Sequence, residues 1–164
     1  MEKILIVDDE NDIAELISDI LEDEGYKTVI KNNGTDALNE VKENIYDLIL
    51  LDIMMPDISG TEVCMKIRDF VSCPIIFISA KTQIIDKLIG FEVGSDDYIT
   101  KPFVNEELVA RVKAHLRRET RIEKSKIKNI IEIGEIKINK ESFEVYKADV
   151  LISLSTKEFE LLCY

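Results

Sequence analysis

At 164 residues and 46% hydrophobic, the chain is long enough for one full domain plus a remainder. Its formal net charge of −12 resides in residues 1–120, which hold 13 Lys and Arg against 25 Asp and Glu, while residues 121–164 hold eight of each. An acidic first domain repels nucleic acid. No apolar run approaches the ~20 residues that span a bilayer, and Met1-Glu2-Lys3 leads into a strand with no secretory signal, so a cytoplasmic protein with no membrane partner is expected. Cys64, Cys73 and Cys163 are odd in number, widely spaced and free of any CxxC pairing, which argues against a disulfide framework or a zinc site.

The first apolar run, Lys3 to Val7, is continuous and branched, as a strand buried on both faces should be. Ile13, Leu16, Ile17, Ile20 and Leu21 then recur at helical spacing from Asn11 to Glu24, and Gly25 stands where a helix stops before a strand at Tyr26 to Ile30. A second helix is predicted from Gly34 to Glu43 around Ala37, Leu38 and Val41, followed by a strand at Leu48 to Leu51. A third follows Pro56-Asp57-Ile58-Ser59-Gly60 with Val63, Ile67 and Phe70 inward, ending before Pro74, and Ile75 to Ile78 is the next strand. A weaker fourth helical pattern runs from Thr82 to about Phe91, Tyr98 to Thr100 forms the fifth strand, and a fifth helix after Pro102-Phe103 carries Leu108, Val109, Val112 and Leu116. Five repeats of strand then helix predict an α/β fold: a doubly wound, five-stranded parallel sheet with right-handed crossovers over residues 1–119.

Residues 120–128 are polar and mixed in charge, and read as a linker. Residues 129–164 show period-two segments at Ile131–Ile133, Ile136–Ile138, Phe143–Tyr146 and Val150–Ile152, a partial antiparallel sheet. Ser155-Thr156-Lys157-Glu158 reads as a capping box opening a short helix with Phe159, Leu161 and Leu162. One helix stub gives such a sheet little to pack against, so Phe159, Leu161 and Leu162 are expected to lack burial.

The chemistry concentrates at the carboxyl ends of the parallel strands, where open α/β sheets bind ligands. Asp8 and Asp9 follow the first strand, Asp52 the third, Ser79 the fourth and Lys101 the fifth. Three carboxylates, a hydroxyl and an ammonium suit a hard divalent cation together with a phosphoryl group.

Val7-Asp8-Asp9-Glu10, Leu50 to Pro56, Gly60, Ile78-Ser79-Ala80 and Gly94 to Phe103 together resemble the receiver domain of a two-component response regulator, and Ser153 to Leu162 is similar to the start of the winged-helix effector of the OmpR/PhoB subfamily. The resemblance implies that Asp52 is the phosphoacceptor for a sensor histidine kinase and that Lys101 neutralises the phosphoryl oxygens. It implies that Ser79 bonds the phosphoryl group, that Tyr98 is the switch aromatic, and that a cis peptide precedes Pro102. Mg²⁺ or Mn²⁺ is implied as cofactor, held by Asp9, Asp52 and the Met54 backbone carbonyl directly and by Asp8 through a water. It also implies a homodimer on phosphorylation, with Lys87, Glu92, Asp96, Asp97, Glu107, Arg111, Lys113 and Arg118 cross-pairing around Phe91, Val109 and Val112.

The implied role is a phosphoacceptor that catalyses its own dephosphorylation, not an enzyme with an external substrate. In the subfamily the DNA-reading helix comes later than Tyr164, so DNA binding is expected of a full-length form and not of these 164 residues. His115, on the fifth helix, is read as solvated or partly packed. A haloacid-dehalogenase phosphatase would need an aspartate at position 54, where this chain has Met, and a flavodoxin would be repelled by Asp8-Asp9-Glu10 at its phosphate loop. The remaining alternative is a receiver that dimerises and scaffolds without phosphorylation, against which the retention of all five site residues counts.

Overall fold

The computed structural model describes residues 1–80, 93–128, 130–139 and 142–162. They form two units, 1–117 and 118–164. In the first, β1 (Lys3–Val7), β2 (Lys27–Lys31), β3 (Leu48–Asp52), β4 (Ile75–Ser79) and β5 (Asp97–Thr100) make one sheet in the order β2-β1-β3-β4-β5, with every pairing parallel. Strands β3 and β4 are buried at every residue, which is why they read as unbroken apolar runs.

The side chains of each strand divide between two cores. On one face Leu5, Val7, Ile49, Leu51, Ile75, Phe77 and Tyr98 pack with α2 (Gly34–Glu43) and α3 (Gly60–Ile67). On the other, Ile4, Ile6, Leu48, Leu50, Ile76, Ile78 and Ile99 pack with α1 (Asn11–Asp23) and α4 (Asn105–Lys128). Each fully buried branched side chain contributes about 1.5–3 kcal/mol relative to exposure, enough in sum to hold the strand ends as a fixed platform. Gly25, at φ +90°, ends α1 as a left-handed residue that a side chain would strain.

Three details depart from the sequence reading. Phe70, expected inward, is 55% exposed: α3 ends at Ile67, so the helical phase that buries Val63 and Ile67 no longer applies three residues on. Leu16 is likewise half exposed, on the outer side of α1. Helix α4 continues through Lys128, across the residues read as a linker. The fourth helical pattern falls outside the described residues.

The second unit is an antiparallel meander, β6 (Ile130–Ile133), β7 (Ile136–Asn139), β8 (Glu144–Lys147) and β9 (Val150–Ile152), followed by α5 (Thr156–Leu162). Ala148 and Asp149, both at positive φ, form the two-residue turn between β8 and β9, as a primed hairpin turn requires. Glu158 accepts from the N–H and hydroxyl of Ser155, the reach-back half of the predicted capping box. Phe159 is not left uncovered as expected: it is buried with Ile138 and Val145, its ring 5.1 Å from that of Phe143. Leu161 and Leu162 do remain exposed. Among the described residues no helix is long and apolar enough to cross a membrane.

Candidate phosphoacceptor and metal site

With this strand order the chain winds outward from β1 and β3 in opposite directions, and the crevice beyond their carboxyl ends is where ligands bind. Asp8 leaves β1 and Asp52 ends β3 at that crevice. Each carboxylate is oriented by its own loop, because Asp8 Oδ1 accepts the Glu10 N–H at 3.0 Å and Asp52 Oδ1 accepts the Met54 N–H at 2.9 Å. The second oxygens converge on one cation: Lys101 Nζ lies 2.7 Å from Asp52 Oδ2 and 2.8 Å from Asp8 Oδ2. All three side chains are nearly closed to solvent, at 4%, 2% and 9% exposure for Asp52, Asp8 and Lys101. The Lys101–Pro102 peptide is cis.

Glu10 completes the cluster. Oxygens of Asp8, Glu10 and Asp52 lie within 4.8 Å of one another, and Glu10 Oε1 is 3.4 Å from Lys101 Nζ. Asp9 is exposed and outside this group. Glu10 carried no metal-binding role in the sequence reading; it lies in the loop just past β1, with its N–H on the Asp8 carboxylate.

Burial pushes the Asp8 carboxyl above its ordinary range, and the nearby Asp52 charge adds to this, while Lys101 and the Glu10 N–H only partly offset the rise. Lys101 is raised despite its burial because both carboxylates hold its proton. Three carboxylates against one ammonium leave an excess of negative charge and hard oxygen donors, a set that fits Mg²⁺ or a similar divalent cation.

Ser79 is fully buried at the end of β4, and Tyr98 is 7% exposed within the α2–α3 core. Burial pushes the Cys64 thiol up to about 11 and that of Cys73 up to about 12, so neither is a thiolate at neutral pH; Cys163 lies outside the described residues.

The face expected to dimerise is largely committed within the chain. Val112 is 0% exposed in the sheet–helix core and has nothing to present to a second copy, which corrects its assignment. Asp96 is bound by Arg68 at 2.5 Å and by the Ile75 N–H at 2.8 Å, closing the opposite edge of the sheet. Arg111 pairs with Asp97 at 2.9 Å and with Glu107 at 3.0 Å on its own helix, and Lys113 pairs with Glu24. Val109 lines a groove with Ile20 of α1. Arg118 is exposed, and Lys87, Phe91 and Glu92 fall outside the described residues.

His115 Nε2 also contacts Asp97, at 3.1 Å, a partner the sequence did not disclose. Burial pushes the Asp97 carboxyl up, but the Tyr98 N–H, Arg111 and His115 outweigh it and hold the group low. A carboxyl held low stabilises the fold above its ordinary value and loses that contribution as pH falls through the folded value. Asp97→Asn is therefore expected to cost roughly 2 kcal/mol at pH 7, with the gap closing toward pH 3. Urea midpoints across that range check this; a gap that stays constant or widens in acid would contradict it.

Residues 4–113 match the response regulator receiver domain family. The response regulator ArlR of Staphylococcus saprophyticus is 44% identical over 162 residues, 99% of this chain and 71% of ArlR, and that of Staphylococcus aureus is 43% identical over the same span. The crystal structure of DrrB, a Thermotoga maritima OmpR/PhoB homolog, aligns over 99% of this chain and 71% of DrrB with a TM-score of 0.68 and 36% identity. The chain belongs to the response regulators of the OmpR/PhoB type.

As a receiver it is also similar to a two-component response regulator from Clostridium difficile, at TM-score 0.71 and 36% identity over 73% of this chain and 98% of that one. The DrrB receiver domain has been solved in a BeF3-activated form, TM-score 0.67 and 37% identity over 71% of this chain and 98% of that one. The antiparallel sheet after the receiver is consistent with part of a winged-helix domain.

Proposed function

We propose that this response regulator receives a phosphoryl group from a histidine of a sensor kinase onto Asp52. The observation that carries the reading is the convergence of Asp52 and Asp8 on Lys101 at 2.7 and 2.8 Å in the crevice between β1 and β3. An Asp52 oxygen forms a bond to phosphorus as the bond to the donor's imidazole nitrogen breaks, giving an acyl phosphate. Lys101 then shifts its hydrogen bonds to the phosphoryl oxygens, where a fixed cation stabilises the charge of transfer. Ser79 donates its hydroxyl to the same group, and Tyr98 reports the accompanying loop movement.

Asp8, Glu10 and Asp52 are the residues we assign to hold a divalent cation, with Asp9 and the Met54 carbonyl completing the set that the resemblance implies. When bound, Mg²⁺ or Mn²⁺ supplies the positive charge that three carboxylates and a phosphoryl group together lack. The BeF3 activation of the DrrB receiver supports this reading. Turnover of an external substrate is not part of the proposed function, and the site of action is the cytoplasm, where the kinase's phosphoryl donor resides.

Self-association on phosphorylation is proposed through the β5–α4 edge. Asp97 and Arg111 would have to exchange their present partners for those of a second copy, and Glu107 and Arg118 flank them. Specific DNA binding is proposed only for a form that carries the whole winged-helix domain.

Incubation with acetyl phosphate and Mg²⁺ tests the phosphoacceptor reading. The intact mass is expected to rise by one phosphoryl group with Mg²⁺ and not with EDTA. Labelling that is indifferent to metal would contradict the site.

A further inference from the structure

The turn between β2 and α2 touches none of the three carboxylates, yet it holds both loops that carry Asp8 and Asp52. At its start, Asn32 Nδ2 donates to the Asp8 carbonyl oxygen and to Asn11 Oδ1, both at 3.2 Å, beside the ladder bond from the Asp8 N–H to Lys31 O at 3.1 Å. At its end, the Gly34 and Thr35 N–H groups donate to the Asp57 carboxylate at 3.1 and 2.9 Å, and the Thr35 hydroxyl adds a third bond at 2.9 Å. Asp57 belongs to the loop that leaves Asp52.

Capping alone would not call for this arrangement. Asn33 is the N-cap of α2 and serves the Asp36 N–H at 2.8 Å. Asp57, 22 and 23 residues away in sequence, takes the two remaining donors of the first turn. An anion there also meets the positive end of the helix dipole. Slight burial pushes the Asp57 carboxyl up, but the Ile58, Thr35 and Gly34 N–H groups and the Thr35 hydroxyl hold it well below the ordinary range.

We propose that residues 32–35 and Asp57 form a brace that sets the spacing of Asp8 and Asp52 and so tunes the affinity of the carboxylate cluster for a divalent cation. Asn32 and Asp57 are positioning residues, acting through the loops. The inference rests on the reading of the cluster as a cation site. Like charges at the two strand ends repel across the crevice, and Mg²⁺ accepts oxygens only near 2.0–2.1 Å. Loops free to spread would lose the closely spaced pair that the ion requires.

The test is Mn²⁺ titration followed by electron paramagnetic resonance on the full chain and on Asn32→Ala, Asp57→Ala, Asp57→Asn and Thr35→Val. Affinity is expected to fall about tenfold in Asp57→Ala, the lower end of the loss seen for outer supports of metal ligands. Asp57→Asn, which keeps one acceptor oxygen, should recover part of the loss, and Thr35→Val should show about a twofold loss. Exchange of the Met54 amide, which donates to Asp52 Oδ1, should quicken in Asp57→Ala. If variants that unfold at lower temperature keep wild-type Mn²⁺ affinity and Met54 exchange, the brace is only structural and the proposal fails. Should Asp57→Ala fail to fold, unchanged affinity in Asn32→Ala and Thr35→Val overturns it equally. Wild-type chain that binds no Mn²⁺ overturns the site reading as well, which separates the two failures.

Discussion

Alanine at position 60 is expected to be among the most damaging single changes in the receiver. A Cβ on Gly60 would lie 2.0 Å from the Asp52 carbonyl oxygen, 2.8 Å from its carbonyl carbon and 2.9 Å from Ile53 Cα. All three are backbone atoms of Asp52 and Ile53, at the end of β3 and its exit, so no side chain can swing aside. The Gly60 N–H also donates to Ile53 O at 3.0 Å, pinning the start of α3 against that strand. Relieving the clash must therefore move α3 or the Asp52 peptide, at a cost of about 3 kcal/mol or more. For a unit of this size the melting temperature should fall by roughly 10 °C. Labelling by acetyl phosphate should fall with it even at temperatures where the variant stays folded, because the displaced atoms belong to Asp52, the proposed phosphoacceptor. Calorimetry with a parallel labelling assay checks both, and a Gly60→Ala chain with wild-type melting and labelling would show that the two backbones are not in contact.

Lys101→Met is expected to act through charge. Methionine keeps much of the length of the lysine stem but removes the ammonium shared by Asp8 and Asp52. Two carboxylates 2% and 4% exposed would then face each other without a cation, and stripping one partner from a buried pair costs about 3–5 kcal/mol. The loss should be greatest at neutral pH without divalent metal. Acid should shrink it, since a carboxyl whose proton affinity is already raised by burial, as that of Asp8 is, can neutralise itself. Millimolar Mg²⁺ should shrink it too, by restoring positive charge among the same oxygens. Acetyl phosphate labelling should slow about a hundredfold or more, as when one preorganised group is removed from a developing anion. Urea midpoints with and without Mg²⁺, together with labelling rates, decide the matter. A variant more stable than wild type without metal would mean that the lysine is itself the strained element.

Much of this was legible in the chain because burial on both faces leaves an unambiguous pattern. Strands such as Leu48–Asp52 and Ile75–Ser79 admit no polar residue before their ends, so the polar residues that end them, Asp52 and Ser79, mark the site edge. Helix α2 was readable end to end because Gly34 opens it and its inward positions Ala37 and Val41 keep a single phase. Phe70 misled because the phase of α3 ends at Ile67, while the apolar content continues. Val112 was misplaced because hydrophobicity on a helix does not say whether sheet or solvent lies beneath it. Only packing against Leu50 and Ile78 and their neighbours settles that. Asp57 and Asn32 were invisible for another reason: their partners lie more than twenty residues away, and no local spacing encodes such a bond. The helical course of residues 120–128 was hidden because their sequence is polar and mixed in charge, with no apolar period to mark a helix.

The central claim is a covalent one at a single atom group, so residue-level chemistry tests it most directly. Chain treated with acetyl phosphate and Mg²⁺ should be reduced with borohydride, which converts an aspartyl phosphate to homoserine, and then mapped by peptide mass spectrometry. Homoserine is expected at position 52 alone, absent with EDTA and absent from Asp52→Asn. Homoserine at another aspartate, or a phosphate that resists reduction on a hydroxyl residue, would contradict the assignment of Asp52 as the phosphoacceptor.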